Sequence, residues 1–113
     1  MTGDTIVSGT LTAGVFTSLS GSQFSEHNVG QLLTTLPDTN GYGLLCSGWI
    51  TGGDNPNTYH EVVLVNVANS IARVTKLQDA QYLEIWVGTF PELVIKQSSG
   101  VGQTLNWSCQ RIS

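Results

Sequence analysis

The sequence predicts an all-β protein, a short β stalk leading into an antiparallel β-sandwich head, built to associate with copies of itself. Three observations carry this. Residues 40–113 divide into short runs of β-forming residues separated by turn chemistry. Residues 3–22, GDTIVSGTLTAGVFTSLSGS, alternate small polar with apolar residues but hold too few large side chains to form a core. Only 11% of the 113 residues are charged, against about 25% in ordinary globular domains. No apolar run approaches the roughly 18 to 20 residues that cross a bilayer, so the missing charge implies surface consumed by self-association, with no membrane insertion.

In the opening segment, Leu11, Ala13 and Val15 alternate with Thr10, Thr12 and Gly14, the period of a strand with one buried face. A ribbon this thin does not offset about 1 to 2 kcal/mol of backbone ordering per residue. Other copies of the chain are expected to supply the missing apolar surface. Residues 1–24 therefore read as a stalk.

Residues 25–39 read as a junction. Val29, Leu32, Leu33 and Leu36 fall at the spacing of a helix stripe, Ser25 can cap it, Phe24 and Val29 suit a hydrophobic staple, and Pro37 ends it. The pattern predicts a short helix over 26–36, the alternative being an apolar loop that plugs the base of the head.

Residues 40–113 predict strands at 42–51, 59–67, 71–77, 81–88, 92–97 and 104–112, punctuated by GGDNPN, ANS, QDA, Phe90-Pro91 and SSGVG. Leu83, Ile85 and Val87 oppose Tyr82, Glu84 and Trp86, and Leu105, Trp107 and Cys109 oppose Thr104, Asn106 and Ser108, so each strand has one core face. The run HEVVLVNV is apolar on both faces and needs a second cover. A neighbouring subunit is the simplest one; burial within a single chain is the alternative.

The chemistry-bearing residues are few. A net charge of −4 with four basic residues argues against nucleic acid. His27 and His60 belong to no metal-binding spacing, so no metal and no cofactor are expected. Cys46 lies among Leu44, Leu45 and Trp49, where an inert thiol is expected. With no export signal in view, Cys46 and Cys109 read by default as buried thiols, a disulfide being the alternative. The turn glycines match no phosphate-binding motif, and Asp54, Asn55 and Asn57 fail the spacing of a calcium loop.

What remains is recognition. The connection WITGGDNPNTYH places Trp49 and Tyr59 beside Asp54, Asn55 and Asn57, the mixture that holds sugar hydroxyls by planar hydrogen bonds and sugar CH faces on aromatic rings. Tyr59 reads equally as a strand-end core residue, and for Trp49 the core reading is the stronger of the two. Trp86 and Phe90 form a second aromatic candidate, which subunit contact explains as well as ligand binding does.

The opening run resembles the shafts of bacteriophage tail fibres and tail spikes, in which short Gly/Ser/Thr-rich strands carrying Ile, Val or Leu precede a terminal domain. The resemblance covers about the first 24 residues. It implies a homotrimer on the virion, synthesised in the host cytoplasm, whose tip adheres to a host cell-surface glycan or protein. Ile6, Leu11, Ala13, Val15 and Phe16 would then meet their copies around a threefold axis, with Val29, Leu32, Leu33, Leu36, Val63 and Val65 as further interface candidates. No HxH run of the kind that chelates iron in some fibre tips is present, and no acidic pair stands at a recognisable spacing for polysaccharide cleavage. The expected role is adhesion by a non-enzyme. The rival readings are a structural virion trimer, such as a capsid decoration or baseplate protein, and a secreted carbohydrate-binding module.

Overall fold

The computed structural model describes residues 17–37 and 41–112. It holds eight strands, β1 (Ser18–Ser25), β2 (Gln31–Thr35), β3 (Tyr42–Ile50), β4 (His60–Ala68), β5 (Ile71–Gln78), β6 (Leu83–Val87), β7 (Glu92–Gln97) and β8 (Gln103–Arg111), and one helical turn, α1 (Pro56–Tyr59). The strands form a five-stranded sheet in the order β1-β8-β3-β4-β5 and a three-stranded sheet in the order β2-β7-β6. All pairings are antiparallel. The all-β sandwich is thus as expected.

The core lies between the sheets and follows from side-chain parity. Leu44, Cys46 and Ile50 of β3, Val63, Val65 and Val67 of β4, and Leu105 and Cys109 of β8 face Ile85 of β6 and Leu93 and Ile95 of β7, all buried. Gly48 faces the side chains of the opposite sheet directly. A Cβ there would stand 2.8 Å from Ile95 Cδ1 and 3.4 Å from Ile85 Cδ1, so a side chain would force the buried Ile95 methyl to shift. The β4–β5 hairpin closes through Asn69 and Ser70, both at positive φ (55° and 60°), the geometry of a two-residue turn matched to sheet twist.

Several expectations change. Residues 26–36 do not form a helix. The chain turns at Asn28 (φ 64°) and then runs as β2, whose pairing with β7 shifts register between Leu32 and Thr34. The irregularity breaks the period of two, so the buried residues Leu33 and Leu36 fall three apart and mimic a helical stripe. Both are buried in the chain's own core, whereas Val29 and Leu32 are exposed.

Residues 18–24, read as the end of the stalk, lie in β1 and pair with β8 over its whole length. Of the proposed stalk contacts, Ile6, Leu11, Ala13, Val15 and Phe16 lie outside the described residues. Val63 and Val65 are corrected as interface candidates: both are 0% exposed inside the sandwich. The face of β4 that a neighbour could reach is the opposite one, carrying Val62 and Leu64, which are half-buried. The cysteines are paired. Cys46 and Cys109 stand directly opposite each other on β3 and β8 with Cα atoms 4.0 Å apart, and their sulfurs form a disulfide. Antiparallel neighbours at a narrow pair point to the same face of the sheet, a proximity that a sequence separation of 63 conceals.

Candidate functional site

The β3–β4 connection builds a cleft at one end of the five-stranded sheet. β3 ends in a turn closed by Gly53 N donating to the Ile50 carbonyl at 3.0 Å. Asn55 then caps α1, its Oδ1 accepting from Asn57 N at 3.0 Å, and Pro56 occupies the first turn, where its missing N–H costs nothing. Gly53 lets the chain fold back onto Tyr59: a Cβ there would meet the Tyr59 ring base at 2.7 Å.

The result is a cleft of about 440 Å³ lined by Trp49, Gly53, Asp54, Pro56 and His60. Trp49 and His60 are direct register partners on β3 and β4. Their rings meet edge to face, 6.2 Å between centroids at 83°, and Trp49 keeps 38% of its surface open. An open indole face beside a carboxylate and an imidazole can stack on the CH face of a sugar while Asp54 accepts from its hydroxyls.

The back of α1 is held by a second connection. Gln81 N and Tyr82 N donate to the Asn57 and Thr58 carbonyls at 3.0 and 3.1 Å, and the Tyr59 and Tyr82 rings lie 6.2 Å apart. Gln78 Nε2 donates to the Pro56 carbonyl at 3.0 Å and to the His60 carbonyl at 2.9 Å. Glu61 fixes the same connection from inside the sandwich: it is 0% exposed, Oε2 accepts from Ile85 N at 2.7 Å and Oε1 from Ala80 N at 3.2 Å. Lys76 Nζ stands 3.8 Å from Glu61, 3.4 Å from Asp79 and 3.6 Å from Glu84.

Burial pushes the Glu61 carboxyl above its ordinary 4.5, against the backbone donors of Ile85 and Ala80 and the Lys76 ammonium, while Asp79 adds to the push. For Lys76, burial pulls downward but the carboxylates, Glu61 foremost, prevail and hold the ammonium above 10.5. Among the described residues no group of three His, Cys, Asp or Glu is placed to hold a metal ion.

The expected recognition residues therefore separate. Trp49 and Asp54 share the cleft. Asn55 is engaged in capping and Asn57 presents its carbonyl to Gln81, so both shape the loop. Tyr59 is half-buried against the core. Trp86 lies on the other sheet beneath Lys96, whose Nζ is 5.5 Å from the ring centroid, and Phe90 packs half-buried on the core. Sequence reasoning does not place His60, Gly53 or Pro56 at the site: His60 is set aside for want of a metal-binding spacing, and Gly53 and Pro56 count only as turn chemistry. The available signal for His60 was its position at the start of a strand facing Trp49 across a hairpin-length connection.

No protein-family model matches the chain, and no curated protein matches it. Solved structures do. The chain is similar to the tailspike protein gp49 from Acinetobacter baumannii bacteriophage Fri1, described as a capsular polysaccharide depolymerase, with a TM-score of 0.57 and 14% identity, over 85% of this chain and 17% of that one. It also matches the tailspike protein of Acinetobacter phage vB_ApiP_P1, with a TM-score of 0.49 and 9% identity, over 92% of this chain and 23% of that one. The chain thus spans less than a quarter of either tailspike. At such identity the likeness is one of fold, and it is to tailspikes.

This match corrects one expectation. The exclusion of enzymatic function rested on the lack of an acidic pair at a recognisable spacing, and the fold occurs within a protein described as a depolymerase. Spacing was the wrong criterion physically, because folding gathers carboxylates from separate stretches: Glu61, Asp79 and Glu84 all converge on Lys76.

Proposed function

We propose that this chain is a polysaccharide-binding β-sandwich of a tailspike-type receptor-binding protein, carried on a phage tail and directed at host surface polysaccharide. The observation that carries the reading is the cleft at the β3–β4 end. Trp49 offers a partly open indole face there, with Asp54 and His60 beside it, in a fold shared with part of a phage tailspike. In this reading the domain supplies grip on the polysaccharide to a longer protein that degrades it. A homotrimer joined through the residues before β1 would present three such clefts together, multiplying weak individual contacts.

The test is an array of bacterial capsular polysaccharides probed with the chain and with Trp49→Ala. The expected result is binding to a restricted set of capsules that falls at least about tenfold in the variant, as loss of one aromatic platform implies. Undiminished binding by Trp49→Ala, or no binding by the parent chain, overturns the reading.

A further inference from the structure

The outer face of the five-stranded sheet continues from the cleft across β3, β8 and β1. Antiparallel partners share a face, so the register sets Trp49, Asn106 and Ser22 in one row and Ser47, Ser108 and Ser20 in the next. With strands about 4.8 Å apart, each row runs roughly 10 Å. Polar contacts already order it: Ser47 Oγ and Ser108 Oγ are 3.3 Å apart, and Asn106 donates its amide to Thr51 Oγ1. A second cavity, of about 260 Å³, opens farther along the same strands, where Ser18, Ser20, Ser108 and Gln110 border it with Leu19 and Cys109.

On these three strands the face is uncharged. The outward positions of β3, β8 and β1 bear hydroxyl, amide, apolar or glycine residues and not one charge. The outward face of the other sheet, by contrast, carries Glu84 opposite Lys96. Short hydroxyl and amide groups both donate and accept, matching sugar hydroxyls, and they lose little rotamer entropy when ordered. A uronate or phosphate would find no cation at these outward positions; Arg111, at the end of β8, falls in the opposite phase.

Resting on the reading of the cleft as a glycan site, we infer that this face is an extended saccharide track, taking a neutral stretch of polysaccharide chain that runs from Trp49 over Asn106 and Ser108 toward Ser20 and the second cavity. Affinity then grows with chain length and is insensitive to salt.

Calorimetry with disaccharide and hexasaccharide fractions of neutral and of uronate-bearing capsular polysaccharides, at low and high salt, tests this on the chain, on Ser20→Trp and on Trp49→Ala. The expected result is neutral hexasaccharide binding about tenfold tighter than disaccharide, equivalent to about 1.4 kcal/mol. Salt should not alter that gain, and Ser20→Trp should remove it, with an unchanged unfolding midpoint showing that the exposed substitution has not disturbed the fold. Equal affinity for both lengths, with binding still lost in Trp49→Ala, overturns the track and leaves the cleft standing. Tighter binding of the uronate-bearing fractions overturns the neutral class. A change of assembly mass in Ser20→Trp assigns the face to a second copy of the chain and overturns the track likewise. Absence of binding to every fraction overturns the cleft reading itself.

Discussion

Replacing Glu61 by alanine should be among the most damaging single changes outside the apolar core. The carboxylate is 0% exposed and is the acceptor for two buried backbone donors, Ile85 N at 2.7 Å and Ala80 N at 3.2 Å. Glu61→Ala orphans both. At about 1 to 3 kcal/mol for each unsatisfied buried group, the loss comes to about 2 to 6 kcal/mol, a large share of the roughly 5 to 15 kcal/mol that stabilises a domain.

Glu61→Gln retains the shape and one acceptor oxygen but turns an amide N–H₂ toward the other donor. It should cost about 1 to 3 kcal/mol. The two variants also differ from the parent in pH response. The folded carboxyl lies above its ordinary 4.5, so the native state binds more protons than the unfolded chain between those values. Its contribution to stability is whole below about pH 4.5 and declines as pH rises through the folded value. Glutamine does not titrate, so the advantage of Glu61 over Glu61→Gln should shrink across that window. Urea unfolding over a pH series measures all of this. A Glu61→Ala loss under about 1 kcal/mol, or a Glu61-to-Gln gap that widens with rising pH, would refute the reasoning.

Other changes probe the frame around the cleft. The Cys46–Cys109 bond closes a loop with a separation of 63, so replacing both by serine should remove about 4 kcal/mol by the chain-entropy relation; alkylation of the unfolded chain before reduction would show that the bond is not there. Gly48→Ala should cost about 1 to 3 kcal/mol by overpacking, because its Cβ would press on Ile95 Cδ1 at 2.8 Å; an unchanged thermal midpoint contradicts that packing. Gln97 is buried and donates through Nε2 to the Ser25 and Val101 carbonyls, while its Oε1 accepts from Ser99 N at 2.8 Å. Gln97→Ala should therefore cost about 2 to 4 kcal/mol and speed amide exchange at Ser99, and protection unchanged at Ser99 would argue against this role.

Much of the sandwich was legible because strand parity survives in the sequence. The expected 92–97 coincides with β7, 42–51 and 71–77 differ from β3 and β5 by a residue at one end, and 104–112 differs from β8 by a residue at each end. Where local period and tertiary pairing disagree, the sequence misleads. The irregularity in β2 disguised a strand as a helix, and α1 hid in a segment whose Asn55, Pro56 and Asn57 suit a turn as well as a helical start. Pairing across the sheet was equally hidden, since only the register of β3 with β8 brings Cys46 to Cys109.

The buried polar hubs were detectable in principle. Glu61 stands two before Val63 and Gln97 two after Ile95, each in a core-facing position, and a polar residue in that phase signals a buried hydrogen-bond network. For the cleft, residue type pointed to Trp49 and Asp54, but the partnership with His60 depends on strand pairing. Trp86 and Phe90 have the same aromatic chemistry and lie elsewhere, because aromatic type alone does not say which layer a side chain faces.

The central claim is that glycan is held at the β3–β4 end. A two-dimensional ¹H–¹⁵N titration of the chain with a capsular oligosaccharide selected from the array locates the contact residue by residue. The account expects the largest shifts at the Trp49 indole N–H and at the amides of Gly53, Asp54 and His60. Shifts confined to the Trp86 and Lys96 face, or none at saturating oligosaccharide, would contradict it.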